Sequence, residues 1–129
     1  MLTCRGLRKD YVTERGEVAA VAGIDLEIAA GRYAAIIGRS GSGKSSLMAM
    51  IGGLSRPSQG QVTVEGTDIW SLSENELAAF RNKRIGYVFQ FASLLPTLRL
   101  VDNVALPAML GGGGKSSQTY ARAAALLGQ

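Results

Sequence analysis

Apolar and polar residues alternate at Ile24, Leu26 and Ile28, with Asp25 and Glu27 between them. That is the period of two of a strand buried on one face. Residues 1–12 and Val18–Val21 carry further strand-forming runs, and a polar turn at Thr13–Gly16 separates them. The chain is therefore predicted to open as an antiparallel layer over about residues 1–32, ending in a turn at Ala30-Gly31-Arg32. The pattern then changes. Tyr33–Ile37 is apolar without alternation, which predicts a strand buried on both faces, and it stops at Gly38. From Lys44 to Leu54 the apolar residues return at helical spacing, with Leu47, Ile51 and Leu54 on one side.

The segment SRPSQG, Ser55–Gly60, breaks that helix. Val62–Val64 reads as strand and Glu65-Gly66-Thr67 as a turn. Ser73 followed by Glu76 three residues later forms a capping box, opening a helix that runs to about Asn82. Ile85–Phe89 is a second strand of the buried type. Phe91–Thr97 is a loop containing Pro96, Val101–Leu110 a helix despite Pro107, Gly111–Gly114 a flexible break, and Gln118–Leu127 a last, alanine-rich helix. There are no internal repeats. Strands alternating with helices predict an α/β fold.

Composition narrows the chemistry. The chain has 129 residues, enough for one domain with a real core, and 47% of them are apolar. A net charge of +4 suits an anionic ligand, and it is too small and too scattered to point to nucleic acid. No histidine and one cysteine leave no donor set for zinc. A single thiol, Cys4, fits a reducing compartment and reads as a small strand residue rather than a reactive group. The first residues, MLTCRGLRKDY, hold no apolar core of a signal peptide, and no apolar run approaches the ~18 residues of a membrane span. Work at a membrane would go through a partner.

The strongest motif is GRSGSGKS, Gly38–Ser45, which matches G-x-x-x-x-G-K-[ST] between a predicted strand and a predicted helix. Glycines let the backbone curl so that its N–H groups face phosphate oxygens. The helix start adds partial positive charge. Lys44 is placed to reach the β- and γ-phosphates, Ser45 to give its hydroxyl to Mg²⁺, and Ser46 to reach another phosphate oxygen. The chain is rich in glycine, with 17 residues, so the motif gains weight from its context. No N-K-x-D guanine reader occurs, and no arginine-rich lid of a small kinase is evident.

The residues around the loop extend the match. GRSGSGKSSL resembles the Walker A motif of ATP-binding cassette (ABC) transporter ATPases, and EVAAVAGIDLEIAAGRYAAIIG resembles their opening strands. GGLSRPSQGQVTVEGTDI is similar to their segment after the P-loop helix, and RIGYVFQFASLLPTLRLVDNVALPAML to their Q-loop region. Within that family the chain looks closest to the group serving lipoprotein-releasing and macrolide-efflux permeases, with the cell-division ATPase. The resemblance implies an α/β P-loop NTPase of ABC type, with an antiparallel β layer plus a partial parallel core sheet with helices. On this alignment residues 1–32 are the antiparallel layer, 33–100 the P-loop core to the Q-loop, and 101–129 the start of the helical subdomain.

The resemblance also implies roles. ATP and Mg²⁺ are the expected cofactors. Tyr11 matches the aromatic residue that stacks on adenine. Gly38, Arg39, Ser40, Gly41, Ser42, Gly43, Lys44, Ser45 and Ser46 form the phosphate loop, and Lys44 also steadies transition-state charge. Gln90 matches the Q-loop glutamine, which contacts the metal and the attacking water, so Ser45 and Gln90 are the metal-side residues. Phe91–Leu100 matches the surface that receives an integral-membrane permease at the cytoplasmic face of the membrane. A second ATP-binding subunit is the other expected partner, and nucleic acid is not.

Three departures are mild: Ser46 where threonine is usual, Arg39 as an unusual second loop residue, and Phe91 after the glutamine. One is serious. An LSGGQ signature, a Walker B aspartate with its glutamate base, and a switch histidine do not occur in the sequence. The expectation is the N-terminal part of one ABC ATP-binding domain, truncated before the signature and Walker B motifs. Such a part binds ATP–Mg²⁺ at best and does not hydrolyse it alone. The alternative is a truncated, non-catalytic nucleotide-binding or permease-interaction module.

Overall fold

The computed structural model describes every residue except Arg15, Ala92, Lys115 and Gln129. It divides into two compact units, Met1–Leu77 and Ala78–Gln129.

The first unit is built on four antiparallel strands: β1 (Leu2–Thr13), β2 (Gly16–Ile28), β3 (Gln59–Val64) and β4 (Thr67–Asp68). Their order is β2-β1-β3-β4, so β1 is paired on both edges. The expected opening layer is present, and the two strand pieces read at Val18–Val21 and Ile24–Ile28 are one strand. Gly23, at φ +78°, joins them as a bulge: pairing steps from Leu7↔Ile24 to Arg8↔Ala22 and skips it. A second skip leaves Ala20 unpaired, between Lys9↔Val21 and Asp10↔Ala19. Gly60 is required where β3 crosses β1, because a Cβ there would overlap the carbonyl oxygens of Arg5 and Gly6. Cys4, Leu7, Val62 and Ile69 are fully buried in this unit. Burial also pushes the Cys4 thiol up from its ordinary value, which leaves it protonated and inert.

Helix α1 (Lys44–Ile51) touches β2 and buries Leu47 and Met50. Met50 takes the core position expected of Leu54, which is exposed, because α1 ends three residues before it. Trp70 closes the far end of this helix by donating its indole N–H to the Met50 carbonyl at 3.2 Å.

Two sequence expectations fail. Tyr33–Ile37 and Ile85–Phe89, both read as buried strands, are in no strand, and every strand pair among the described residues is antiparallel. Tyr33 is 94% exposed, Ile37 93% and Val88 95%. The physical reason is non-local. A strand needs a neighbour to take its N–H and C=O groups, and no such neighbour stands beside either run among the described residues. The parallel core sheet is therefore not formed here, although its two apolar segments are present.

The boundary between units falls inside α2 (Glu74–Arg84), whose start is the expected capping box. Ser73 donates from its N–H at 2.9 Å and its hydroxyl at 2.6 Å to Glu76 Oε2. The second unit carries α3 (Leu100–Ala108) and α4 (Ser117–Leu127). Pro107 sits inside α3, and a π-helical turn over Met109–Gly113 follows, where a flexible break was expected. Gly112 takes φ 93° within it. Asn82 Nδ2 donates to the Pro107 carbonyl at 2.7 Å. Ala105 of α3 and Ala123 of α4 are the buried contacts of this unit.

Candidate functional site

The loop Gly38–Gly43 ends in left-handed backbone. Gly41 has φ 77° and Gly43 φ 84°, conformations that cost an L-residue with a Cβ. Gly43 is needed twice over, because a Cβ there would also overlap the Ala20 carbonyl oxygen. Ala20 is the residue bulged out of the β1–β2 ladder. The bulge thus brings a backbone carbonyl of the antiparallel layer against the last glycine of the loop. A Cβ on Gly38 would lie 2.8 Å from Ser42 Oγ, so that glycine lets the loop fold tightly across itself.

From this turn α1 begins. Its first internal bond is Leu47 N–H to the Gly43 carbonyl at 2.9 Å. The N–H groups of Lys44, Ser45 and Ser46 therefore have no intrahelical acceptor. No side chain caps this end, and no acidic residue lies in the first turn. Lys44 folds back over the loop. Its Nζ donates to the carbonyls of Gly38 at 2.9 Å and Arg39 at 2.7 Å, and stands 3.4 Å from Ser42 Oγ. Ser45 is exposed beside it. Free N–H groups, a positive helix end, a lysine ammonium and an exposed hydroxyl form a donor set that fits a phosphate chain with a divalent cation.

A cavity of about 490 Å³ lies between β2 and the Tyr33–Ile37 run, with Ala20, Val21, Ile36, Gly38, Gly43 and Lys44 among its walls. Its lining is largely aliphatic, with Ser42 and Lys44 of the loop as the polar exceptions.

Tyr11 stands on β1 opposite Val18 and is 43% exposed. The Lys9 ammonium lies over its ring, 5.3 Å from the centroid. Tyr11 and the phosphate loop belong to the same unit, tied through the β1–β2 ladder and the Ala20 bulge. Gln90 belongs to the second unit, on an exposed bend after Phe89, whose ring lies 4.6 Å from that of Tyr87. The phosphate-loop residues and Tyr11 thus fall in one unit and Gln90 in the other.

The loop after Gln90 is bonded by a side chain of α3. Phe91, Leu94, Leu95, Leu98 and Leu100 are exposed. Asn103, from α3, holds that surface from beneath. Its Oδ1 accepts from Leu95 N–H at 2.7 Å, and its Nδ2 lies within reach of the carbonyls of Leu95, Leu98 and Arg99 at 3.1–3.3 Å. Arg99 pairs with Asp102 at 2.7 Å, and Tyr120 donates to the same carboxylate at 3.0 Å. Arg99, then Tyr120, hold Asp102 below the usual carboxylate range. Sequence reasoning passed over Asn103 and Ala20. An asparagine in the first turn of a helix after a loop is a legible cue to side-chain bonding with backbone. A bulge at an alanine leaves no cue at all.

Comparison with known proteins agrees with this arrangement. Residues 21–129 match the family described as ABC transporter. The chain is 43% identical over 127 residues to the lipoprotein-releasing system ATP-binding protein LolD 1 of Caulobacter vibrioides, covering 98% of this chain and 54% of that protein. It is 45% identical over 116 residues to the macrolide export ATP-binding/permease protein MacB of Rhodopirellula baltica, covering 90% of this chain and 17% of that protein. The dimeric, post-hydrolysis structure of the ATP-binding cassette MJ0796, bound to ADP and Pi, superposes with a TM-score of 0.87 at 33% identity, over 95% of this chain and 54% of that one. The chain spans about half the length of the LolD relatives it matches. With the loop, the layer beneath it and these relatives in agreement, the chain belongs to the ABC transporter ATP-binding family, with an α/β fold of the P-loop ABC type.

Proposed function

We propose that this chain is the nucleotide-holding part of an ABC transporter ATP-binding subunit, and that the loop Gly38–Ser46 takes the triphosphate of ATP with Mg²⁺. The carrying observation is the position of Lys44. Its ammonium is bound to two loop carbonyls beside three N–H groups that lack intrahelical acceptors. A triphosphate supplies those groups with acceptors and offers the lysine stronger, charged partners than two carbonyls.

The roles follow from the donors. The backbone of Gly38, Arg39, Ser40, Gly41, Ser42 and Gly43 lines the phosphates, with Arg39 adding charge. Ser46 gives a hydroxyl to a phosphate oxygen, and Ser45 offers its own to the metal. Mg²⁺, when bound, draws charge from the β- and γ-phosphates. Tyr11 stacks on the adenine, and Gln90 orients water and metal. The leucines of Phe91–Leu100, stiffened by Asn103, receive an integral-membrane permease. Among the described residues no helix is long and apolar enough to cross a membrane, so the proposed place at the cytoplasmic face rests on that permease. A second ATP-binding subunit completes the assembly.

Binding and hydrolysis separate in this reading. The 129 residues hold no Walker B aspartate–glutamate pair and no LSGGQ stretch, so nothing in them serves as general base. Calorimetric titration with ATP–Mg²⁺ is expected to show saturable binding that Lys44→Ala weakens at least tenfold. Phosphate release is expected to stay at background. Turnover by the purified chain overturns the second expectation, and equal affinity of wild type and Lys44→Ala overturns the first.

A further inference from the structure

The contact between Lys9 and Tyr11 is tied into more of the fold than a surface pair needs. Positions 9 and 11 of β1 share a face of the sheet, since side chains repeat every second residue. Lys9 reaches over the Tyr11 ring, 5.3 Å from its centroid. The ammonium is not left to swing. It donates to the Arg56 carbonyl at 2.6 Å, a residue on the connection between α1 and β3. That connection is itself stitched to β1. Ser58 N–H donates to the Arg8 carbonyl at 2.8 Å, and Ser58 Oγ accepts from Asp10 N–H at 3.0 Å. Arg56 is anchored in turn, donating to the Trp70 carbonyl at 2.7 Å. One carbonyl therefore holds the ammonium beside the ring, on a connection that is itself tied to β1 and to Trp70, while 43% of Tyr11 remains exposed.

From this geometry we propose that Lys9 is a positioning residue for base recognition. It steadies the Tyr11 ring by a cation–π contact, leaving the exposed part of the ring for a purine. A ring fixed before the ligand arrives loses less freedom on binding, and that gain falls only on ligands that carry a base. The inference rests on the reading of Tyr11 as the adenine platform. It goes beyond it by placing the control of that platform on Lys9 and the Arg56 carbonyl.

The test separates base from phosphate. Affinities of the 129-residue chain for ATP–Mg²⁺ and for inorganic tripolyphosphate–Mg²⁺ are measured for wild type, Lys9→Met, Lys9→Arg and Tyr11→Ala, with far-UV circular dichroism on each variant. Lys9→Met keeps the stem and removes the charge. It is expected to weaken ATP about two- to fivefold and leave tripolyphosphate unchanged. Lys9→Arg, which keeps cation and donor, is expected to restore ATP binding. Tyr11→Ala should erase most of the preference for ATP over tripolyphosphate. If Tyr11→Ala keeps that preference, the adenine-platform reading fails and takes this inference with it. If Tyr11→Ala erases the preference and Lys9→Met does not reduce it, the platform stands and the Lys9 inference alone fails. Equal weakening of both ligands by Lys9→Met, or loss of helix and sheet signal, assigns Lys9 a structural role and likewise overturns it.

Discussion

β1 and the run Tyr33–Ile37 both read as strands in the sequence, the first dotted with charges and the second wholly apolar, yet the charged one is the centre of a sheet and the apolar one is in no sheet. β1 is paired with β2 on one edge and β3 on the other, and it buries Cys4 and Leu7 completely. Tyr33 and Ile37 stand almost fully in solvent. Ile85–Phe89 repeats the contrast in the second unit, with Val88 exposed. Hydrophobic run and β-propensity are therefore not what separates them. Strand formation is a property of a pair, since each edge presents a row of backbone donors and acceptors that only a neighbour can fill. The phosphate loop lies at the junction of the two situations. It leaves an unpaired run at Gly38 and enters a packed helix at Lys44.

The hardest test of this contrast is a matched pair of truncations. Leu7→Ala removes a fully buried side chain from the paired strand and is expected to cost about 2–5 kcal/mol. Val88→Ala removes an exposed one from the unpaired run and is expected to stay within about 0.5 kcal/mol. Urea midpoints read both, provided the slopes agree. Equal losses break the comparison, because Val88 is then buried in solution by something that covers the run.

Gly43→Ala asks how far the junction depends on the layer. The new Cβ meets both the φ of 84° and the Ala20 carbonyl. Strain of this kind costs about 1–3 kcal/mol. Since the overlap is with β2 itself, relief must shift either the loop or the bulge. ATP binding is expected to be lost alongside the stability. A variant that binds ATP with wild-type affinity shows that the bulge does not set the loop.

How much of this the sequence carried depends on the range of each interaction. The turn after Ile28, the glycine loop, the capping box at Ser73 and the start of α1 all rest on residues within a few positions of one another, and each is found where it was read. Whether Tyr33–Ile37 is paired depends on a partner strand, which no local pattern reports. The one-residue slips at Gly23 and Ala20 are invisible for the same reason, although the second puts the Ala20 carbonyl at Gly43. In the candidate site, spacing and resemblance pointed to Lys44, Ser45 and Tyr11, and all three lie in the first unit. Asn103 was missed because its work, bonding to Leu95, is done across a loop.

Asn103→Ala sharpens the comparison on the side of the second unit. The apolar loop Leu94–Leu100 is exposed like the unpaired runs, yet one side chain bonds the Leu95 N–H and the carbonyls of Leu95, Leu98 and Arg99. Losing those bonds is expected to cost about 1–2 kcal/mol. Amide exchange at Leu95 is expected to rise well above that of the α3 interior. If exchange at Leu95 does not change, the loop is held by its own turn, Leu98 N–H to the Leu95 carbonyl at 3.1 Å, and not by Asn103.

The smallest effect comes from the most local device. Ser73→Ala removes a helix cap and is expected to cost about 1 kcal/mol or less at neutral pH. Its pH dependence distinguishes it from the pairing effects above. The hydrogen bonds from Ser73 favour the charged Glu76 carboxylate and hold its pKa below the ordinary 4.5. A depressed carboxylate stabilises the fold above its unfolded value, and that contribution disappears as pH falls through the lower, folded value. The wild-type chain should therefore lose slightly more stability between pH 4.5 and more acidic values than Ser73→Ala, which lacks the hydroxyl bond to Glu76 but keeps the one from its own backbone N–H. Leu7→Ala has no titrating partner at its site and should keep the wild-type slope. If the two variants show the same slope over that window, the capping box does not set Glu76, and the line between local and non-local interactions is drawn in the wrong place.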